Sequence, residues 1–256
     1  MEGTIMLLAG KNAIIYGGGG SVGGAMARAY GRAGARVFLA GRTLATLDAV
    51  AADVRAAGGQ AGTAVVDALD EHAVEAHAAA VVAAAGRIDV AVNVIADADV
   101  QGTPMLDMTV EDYLAPVVQS VRSKFITSRA AGRHMARAGG GVLLFFGGSG
   151  HPPRDLHLGG LQTAFEAVEQ MRRQLATELA PHGVRVLTLR TGGLPDAIPA
   201  DVPGRAAIEA DITGQTLLGR AATLADAGDL AVFAASDLAR TMTGTALNMT
   251  CGAMLD

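Results

Sequence analysis

Residues 16–27 read YGGGGSVGGAMA, and they follow a short apolar run, KNAIIY, near the start of the chain. Glycines let the backbone turn sharply and approach a pyrophosphate closely, and the next helix offers its N-terminal amides to the negative charge. A glycine-rich turn alone is weak evidence for a nucleotide site, but this turn follows the first predicted strand and opens a helix, as dinucleotide binding requires. The stretch predicts a dinucleotide site that includes Gly17, Gly19, Ser21, Val22 and Gly23.

Further along the chain, short apolar runs alternate with segments of helical length. Continuous apolar runs are typical of strands buried on both faces, as in parallel sheets, and several helical segments end in glycine. This alternation over 256 residues predicts a single doubly wound α/β domain, residues 1–256, without a linker or a repeat. The predicted strands are 11–16, 35–40, 62–66, 88–94, 141–146, 184–189 and 245–250, and the predicted helices are 22–34, 43–59, 70–86, 110–139, 161–183 and 224–237.

The composition excludes several classes of partner. Half of the residues are hydrophobic and the formal net charge is −5, so neither nucleic acid nor an anionic membrane surface is an expected partner. No apolar run approaches the ~20 residues of a membrane span, and the N-terminus does not resemble a signal peptide. The single cysteine, Cys251, excludes an internal disulfide and is interpreted as a buried structural thiol. We expect a cytoplasmic protein.

Arg42 indicates which cofactor the site prefers. It stands at the end of the second predicted strand, in LAGRT, where the adenosine ribose would lie. An acidic residue there would favour a free 2′-hydroxyl, whereas an arginine can form a forked contact with a 2′-phosphate. The prediction is NADP(H) rather than NAD(H). The alternative is a solvated arginine at the turn.

Residues 192–219 interrupt the alternation, because three prolines lie between the sixth predicted strand and the last predicted helix. The segment is too long for a plain connection, and we interpret it as a small substrate-covering lobe.

Motifs along almost the whole chain resemble the short-chain dehydrogenase/reductase family. The family's Thr-Gly-x-x-x-Gly-x-Gly turn corresponds to residues 16–23, its Asn-Asn-Ala-Gly to residues 93–96, and its helix-to-strand junction to ELAPHGVRV, residues 178–186. The C-terminal FAASDLARTMTGTALNMTCGAMLD fits it as well. The resemblance implies a Rossmann-type, mostly parallel seven-stranded sheet in the order 3-2-1-4-5-6-7, a small-molecule substrate, and a homodimer or homotetramer. Further cofactor-binding residues that it implies are Asp67, Ala68, Asn93, Ile95 and Gly192.

The resemblance fails at the family's catalytic tetrad of Asn, Ser and a Tyr-x-x-x-Lys pair. Counting back from Glu178 aligns Leu161 with the Tyr and Phe165 with the Lys, while Gly147 takes the Ser position and Ser120 the Asn position. The tyrosines of this chain all lie upstream of that helix, at positions 16, 30 and 113. Leucine and phenylalanine neither transfer protons nor carry charge, so we predict that the usual acid–base pair is missing.

Candidate replacements for the acid are Ser120, Ser149, His151 and His157. The last three lie in or beside the loop GSGHPPRDLHLGG, residues 148–160, with Asp155 between the two histidines. A histidine titrates near neutrality and can act as a general acid. The alternative is a solvated polar loop, and no metal is predicted because the two histidines have no obvious third ligand.

Lys124 has two interpretations. It lies four residues after Ser120 on the long predicted helix, hence on the same face, where it could approach the cleft. The family also uses this helix for subunit packing, so an interface role is equally open. His72 and His77, five residues apart on the third predicted helix, are interpreted as a solvated face.

Three functions compete. The first is an NADP(H)-dependent reductase with a non-standard proton source, acting on an activated C=C or C=O of an apolar small molecule. The second is a non-redox isomerase, cyclase or dehydratase on the same scaffold, with Leu161, Phe165, Phe145 and Phe146 as pocket walls. The third is an inactive nucleotide-binding or partner subunit.

Overall fold

The computed structural model describes residues 6–148 and 156–255. Its seven strands are β1 (Asn12–Tyr16), β2 (Arg36–Gly41), β3 (Gln60–Val65), β4 (Val90–Asn93), β5 (Gly141–Gly147), β6 (Val184–Arg190) and β7 (Thr245–Asn248). Its seven α-helices are α1 (Ser21–Arg32), α2 (Leu44–Ala56), α3 (Glu71–Ala85), α4 (Val110–Ala138), α5 (Gly160–Leu179), α6 (Arg205–Gly214) and α7 (Leu224–Ala235). Every predicted strand and helix is present.

The strands form one sheet in the order β3-β2-β1-β4-β5-β6-β7, and every adjacent pair is parallel. This confirms the predicted sheet order. The order reverses between β1 and β4, which places a crevice at the carboxyl ends of these two strands, where ligands bind in open α/β sheets.

Two apolar cores lie on opposite faces of the sheet, because successive side chains of a strand point to opposite sides. Ala13 and Ile15 of β1 belong to the core with α1, α2 and α7, while Ile14 and Tyr16 belong to the core with α3, α4 and α5. Both faces of β1 are therefore covered, as its unbroken apolar run predicts.

Side chains and glycines set the helix ends. The Asp70 carboxylate accepts hydrogen bonds from the His72 and Ala73 amides at the start of α3, and the Thr109 hydroxyl accepts one from Asp112 at the start of α4. α4 ends at Gly139 with a φ of +73°, which glycine adopts without strain. These groups fix where both helices begin and where α4 ends.

The segment 192–219 contains a short 3₁₀ turn (Pro195–Ala197) and α6. Every residue of α6 keeps partial exposure to solvent, so this helix rests on the surface of the domain. Ile212 of α6 lies against Gly193, just after β6. Among the described residues, no helix combines the length and apolarity that a membrane crossing needs.

Candidate functional site

The turn after β1 packs so closely against its neighbours that only glycine fits at positions 17 and 23. Gly17 has a φ of +88°, and a Cβ there would lie 2.7 Å from the Val94 carbonyl oxygen, in the loop after β4. A Cβ on Gly23 would lie 2.3 Å from the Gly17 carbonyl oxygen. The first turn of α1 therefore packs directly on the glycine turn, and the turn packs on the loop after β4.

The amino end of α1 is left open toward this turn. The helix begins at Ser21, and its N-cap, Gly20, provides no side-chain hydrogen bond. The first amides of a helix have no intrahelical acceptor, so those of Ser21, Val22 and Gly23 suit an anion. The arrangement fits the pyrophosphate of a dinucleotide.

A cavity of about 280 Å³ lies beside the turn, at the carboxyl ends of β1, β2, β3 and β4. It brings together six of the residues predicted to bind a cofactor: Gly17, Gly19, Arg42, Asp67, Ala68 and Ile95. Gly192 follows β6 and does not line this cavity.

Arg42 is an exposed cation at the rim of the cavity. Within the described part of the chain, its guanidinium makes no hydrogen bond or ion pair. Asp67, on the neighbouring loop, accepts a hydrogen bond from the Leu69 amide at 2.9 Å. The Arg42 donors are therefore available to an anionic group that enters the cavity.

Asn93 has a structural role in this geometry. Its side chain is buried, donates to the Thr127 hydroxyl at 2.9 Å, and accepts from the Ile95 amide at 3.1 Å. These bonds tie the end of β4 to α4 and shape the loop that closes the cavity.

The first turn of α5 is an apolar packing surface. Leu161 is buried, and the Phe165 ring lies 3.0 Å from where a Cβ of Gly147 would stand. A Cβ on Gly160 would collide with the Tyr113 backbone of α4. Gly147 and Gly160 thus allow this turn to sit tightly against β5 and α4.

Lys124 is buried inside the protein, so the interpretation as an interface residue is wrong. Its side chain is 1% exposed, and Nζ donates to Asp97 Oδ1 at 3.0 Å and to Ser120 Oγ at 2.9 Å. Ser120 is equally buried. Sequence reasoning missed Asp97, although an acidic side chain just beyond the carboxyl end of a strand was a usable signal.

The loop candidates are placed only in part. Ser149, His151 and Asp155 lie outside the described residues. His157 is exposed and has a φ of +46°, and its backbone oxygen accepts from the Gly102 amide at 3.2 Å. In the ranges that the structure describes, no group of three or more His, Cys, Asp or Glu side chains could hold a metal ion.

Three further interpretations are corrected by the packing. Phe145 is 1% exposed in the core beside α4 and α5, so it cannot wall an open pocket. His77 is half-buried with its ring edge against Tyr16, whereas His72 is solvated as expected. Cys251 is only partly buried, at the rim of a different, apolar pocket near the C-terminus.

Comparisons with known proteins agree with this architecture. The model of a family described as enoyl-(acyl carrier protein) reductase matches residues 18–254. L-rhamnose 1-dehydrogenase (NAD(P)(+)) of Azotobacter vinelandii is 31% identical over 257 residues, which cover 94% of this chain and 96% of that protein. The 7α-hydroxysteroid dehydrogenase of Escherichia coli K12 is 26% identical over 246 residues, covering 96% and 94%.

Solved structures show the same similarity. A short-chain type dehydrogenase/reductase from Mycobacterium marinum superposes with a TM-score of 0.83 at 28% identity, covering 96% of this chain and 95% of that one. A 7α-hydroxysteroid dehydrogenase complexed with NADH and 7-oxoglycochenodeoxycholic acid gives 0.85 at 25% identity, covering 98% and 97%. The fold, the glycine turn and these matches together show that the chain belongs to the short-chain dehydrogenase/reductase family of oxidoreductases.

Proposed function

We propose that this protein is an NADP(H)-dependent oxidoreductase whose proton source differs from the family's tyrosine–lysine pair. Its substrate would be an apolar small molecule with an activated C=C or C=O. The observation that carries the proposal is the cavity beside the glycine turn, which combines an open helix end with the free cation of Arg42.

The residues around the cavity divide the binding of the cofactor between them. The amides at the start of α1 would bind the pyrophosphate, and Arg42 would bind the 2′-phosphate with its planar, forked donors. Asp67 and Ala68 would lie beside the adenine, and Ile95 would close the cavity from the β4 side. The bound cofactor supplies or accepts a hydride at its nicotinamide ring.

The proton has to come from elsewhere than the first turn of α5. Leu161 and Phe165 occupy the positions that resemble the family's acid–base pair, and neither side chain can donate a proton. Reducing an activated C=C demands less of the protein than reducing a ketone, because a hydrogen-bond donor at the carbonyl suffices to stabilise the developing charge. The donors that remain are Ser120, Ser149, His151 and His157.

The affinity of the cofactor tests the proposal. We expect NADPH to bind more tightly than NADH in a fluorescence titration at fixed salt. Arg42→Ala should weaken the binding of NADPH by about 10- to 100-fold, because a hydrogen bond to a charged group contributes about 1.5–3 kcal/mol. The same substitution should leave the affinity for NADH almost unchanged. Arg173→Ala is the matched control, since Arg173 is exposed on α5 and does not line the cavity.

The outcomes separate the competing functions. No binding of either nucleotide would end the proposal. Binding followed by loss of NADPH absorbance with enones or diketones would support an oxidoreductase. NADPH binding without turnover of any such compound would favour a nucleotide-binding partner subunit, and conversion of a substrate without cofactor turnover would favour a non-redox enzyme.

A homodimer or homotetramer is the assembly that we propose for this oxidoreductase. It is supported by an exposed apolar row on α4, formed by Val110, Leu114, Val118 and Phe125. Such a row is costly to leave in water and is typical of an interface.

A further inference from the structure

A small polar cluster, which we call the Lys124 cluster, is buried at the carboxyl end of β4. It consists of Lys124, Asp97 and Ser120. Lysines are almost never fully buried unless they are paired, and taking an ion out of water costs several kcal/mol. This chain has only two lysines, Lys11 and Lys124, yet one of them is 1% exposed.

The hydrogen bonds of the cluster leave donors unused. An ammonium has three protons, and Lys124 gives one to Asp97 and one to Ser120. Its third proton has no acceptor among residues 6–148 and 156–255. The Ser120 oxygen accepts from Lys124, and the hydroxyl proton of Ser120 likewise has no acceptor in the part of the chain that the structure describes. Both protons are therefore available to an acceptor that is not among the described residues.

The cluster lies behind the wall of the cofactor cavity, and none of its three side chains lines that cavity. Ala96 and Gln119, the chain neighbours of Asp97 and Ser120, both line that cavity, and the Gln119 side-chain amide donates to the Ala96 carbonyl. The Asp97 side chain keeps 15% exposure, so its carboxylate reaches solvent. Ala98, the next residue, has a φ of +57°, a strained conformation of the kind found at functional sites.

The cluster also lies close to the start of α5. Gly160 abuts α4 at the Tyr113 backbone and at Pro116, and Ser120 follows Pro116 by one helical turn on the same face. The adjacent Leu161 and Phe165 offer no proton. A proton donor on α4 would therefore stand beside the turn that lacks one.

We propose that the Ser120 hydroxyl is the proton donor of the reaction and that Lys124 is the positioning residue that polarises it. This inference rests on the proposed oxidoreductase function. Asp97 balances the lysine charge and connects the cluster to solvent.

The proton balance of a carbonyl reduction is complete with these groups. The hydride and its electron pair come with NADPH, and the carbonyl oxygen is left negative. The O–H bond of Ser120 breaks as its proton passes to that oxygen, and the serine oxygen takes a proton from the Lys124 ammonium. The Lys124 amine recovers a proton from solvent through the Asp97 carboxyl group, so each turnover consumes one solvent proton.

The two lysines allow a direct test that does not depend on turnover. Protein labelled with ¹³C at lysine should give two Cε signals, assigned with Lys11→Met. Saturating NADPH should move the Lys124 signal and leave the Lys11 signal in place, with binding itself recorded by fluorescence. If NADPH binds and the Lys124 signal does not move, the proposed role of Lys124 and Ser120 in proton transfer is wrong, while the proposed function stands. If NADPH does not bind, the proposed function fails first.

Kinetics test the donor itself, with 9,10-phenanthrenequinone as the dicarbonyl probe. Ser120→Ala and Lys124→Met should each lower kcat by about 100-fold or more, as loss of a general acid does, with the KM for NADPH within about threefold of the original value. Lys124→Arg should recover part of the loss because it restores the charge. Lys11→Met should match the parent protein.

The structural role of the cluster is separated by thermal unfolding. Removing Lys124 alone leaves the Asp97 carboxylate without its partner, so Lys124→Met should lower the unfolding temperature, whereas the double variant Asp97→Asn/Lys124→Met should keep it and still lose kcat. Equal quinone reduction by Ser120→Ala and the parent protein would overturn the proposal. So would a loss confined to Tyr113→Phe, since Tyr113 is a phenol on α4 near the same turn. If the parent protein does not reduce the quinone, the lysine spectrum decides.

Discussion

Tyr16 and His77 illustrate how a single contact changes the chemistry of two side chains. Their rings meet edge to face with centroids 5.6 Å apart, and the Tyr16 hydroxyl lies 3.4 Å from His77 Nδ1. Burial, followed by the charge of Glu75, raises the pKa of Tyr16 well above its ordinary value of 10, so the phenol stays neutral. Burial lowers the pKa of His77 below its ordinary value of 6.5.

This lowered pKa of His77 predicts a pH dependence of stability. Below 6.5 the unfolded chain binds a proton at His77 more readily than the folded protein does. The free energy of unfolding should therefore fall as the pH drops from 6.5 toward the folded-state pKa. Urea denaturation between about pH 7.5 and about pH 5.5 measures this slope, and His77→Phe should reduce it.

His72→Phe is the control for that measurement, because His72 lies on the same helix with an exposed side chain. It should keep the slope of the parent protein. An unchanged slope in His77→Phe would show that another group is responsible.

At the scale of elements, α5 contains a buried ion pair whose carboxylate is also hydrogen-bonded to β6. Glu169 accepts from Arg172 Nε at 3.1 Å and from Nη2 at 2.7 Å, and its second oxygen accepts from the Thr188 hydroxyl of β6. All three side chains are buried. The remaining nitrogen, Arg172 Nη1, has no partner within the described ranges, so the pair is not fully satisfied.

Breaking this pair should destabilise the protein strongly. Arg172→Met leaves the Glu169 charge buried without compensation, which typically costs about 3–5 kcal/mol. The double variant Glu169→Leu/Arg172→Met should recover most of that loss, because an apolar pair of similar volume is often neutral. The free energy of unfolding in urea is the measurement.

Arg173→Met, on the exposed side of the same helix, should change stability by less than about 0.5 kcal/mol. A double variant as unstable as the single one would contradict the argument, since it would locate the loss in packing and not in the isolated charge.

At the scale of the whole molecule, α4 presents different chemistry on its two sides. Its inner side carries the buried polar residues Ser120, Ser123, Lys124 and Thr127, and its outer side carries the exposed apolar row. The Arg129 guanidinium lies 5.4 Å from the centroid of the Phe125 ring in that row. The proposed subunit interface therefore lies on the opposite side of the helix from the Lys124 cluster.

A charge within the row should dissociate the assembly. Light scattering of the parent protein should give a multiple of 25.8 kDa, and Val118→Glu should give the monomer mass. Burying a carboxylate in an apolar interface carries a large desolvation cost. Leu106→Glu is the control, because Leu106 is exposed but precedes α4. A monomeric parent protein, or an unchanged mass in Val118→Glu, would contradict the interface.

The sequence by itself determined the strands and helices, their order along the chain and the glycine turn, because these depend on local patterns. The order of the strands within the sheet followed from the resemblance to the family. Strand-length apolar runs, helix periods and glycines that precede a helix can be recognised without knowing what they contact. The predicted ends of the helices were less accurate than their existence. Helix α5 ends at Leu179 and not at residue 183, because Pro181 cannot supply the amide that an α-helix needs. The surface helix α6 was missed because it has only 10 residues and follows three prolines within its segment.

Only the tertiary structure decided which polar side chains meet. Lys124 and Asp97 are 27 residues apart, and nothing in the spacing shows that α4 packs on the loop after β4 and buries both. The same holds for His77 on Tyr16 and for Glu169 with Thr188, whose distances along the chain are 61 and 19 residues. Burial and pairing are properties of the packed molecule, since they depend on which surfaces exclude water together. For this reason the glycine turn was predictable from the sequence, and Ser120 could be named as one of four candidate proton donors. Its contact with Lys124 and the pairing of Lys124 with Asp97 emerged only from the packing of α4 against the loop after β4.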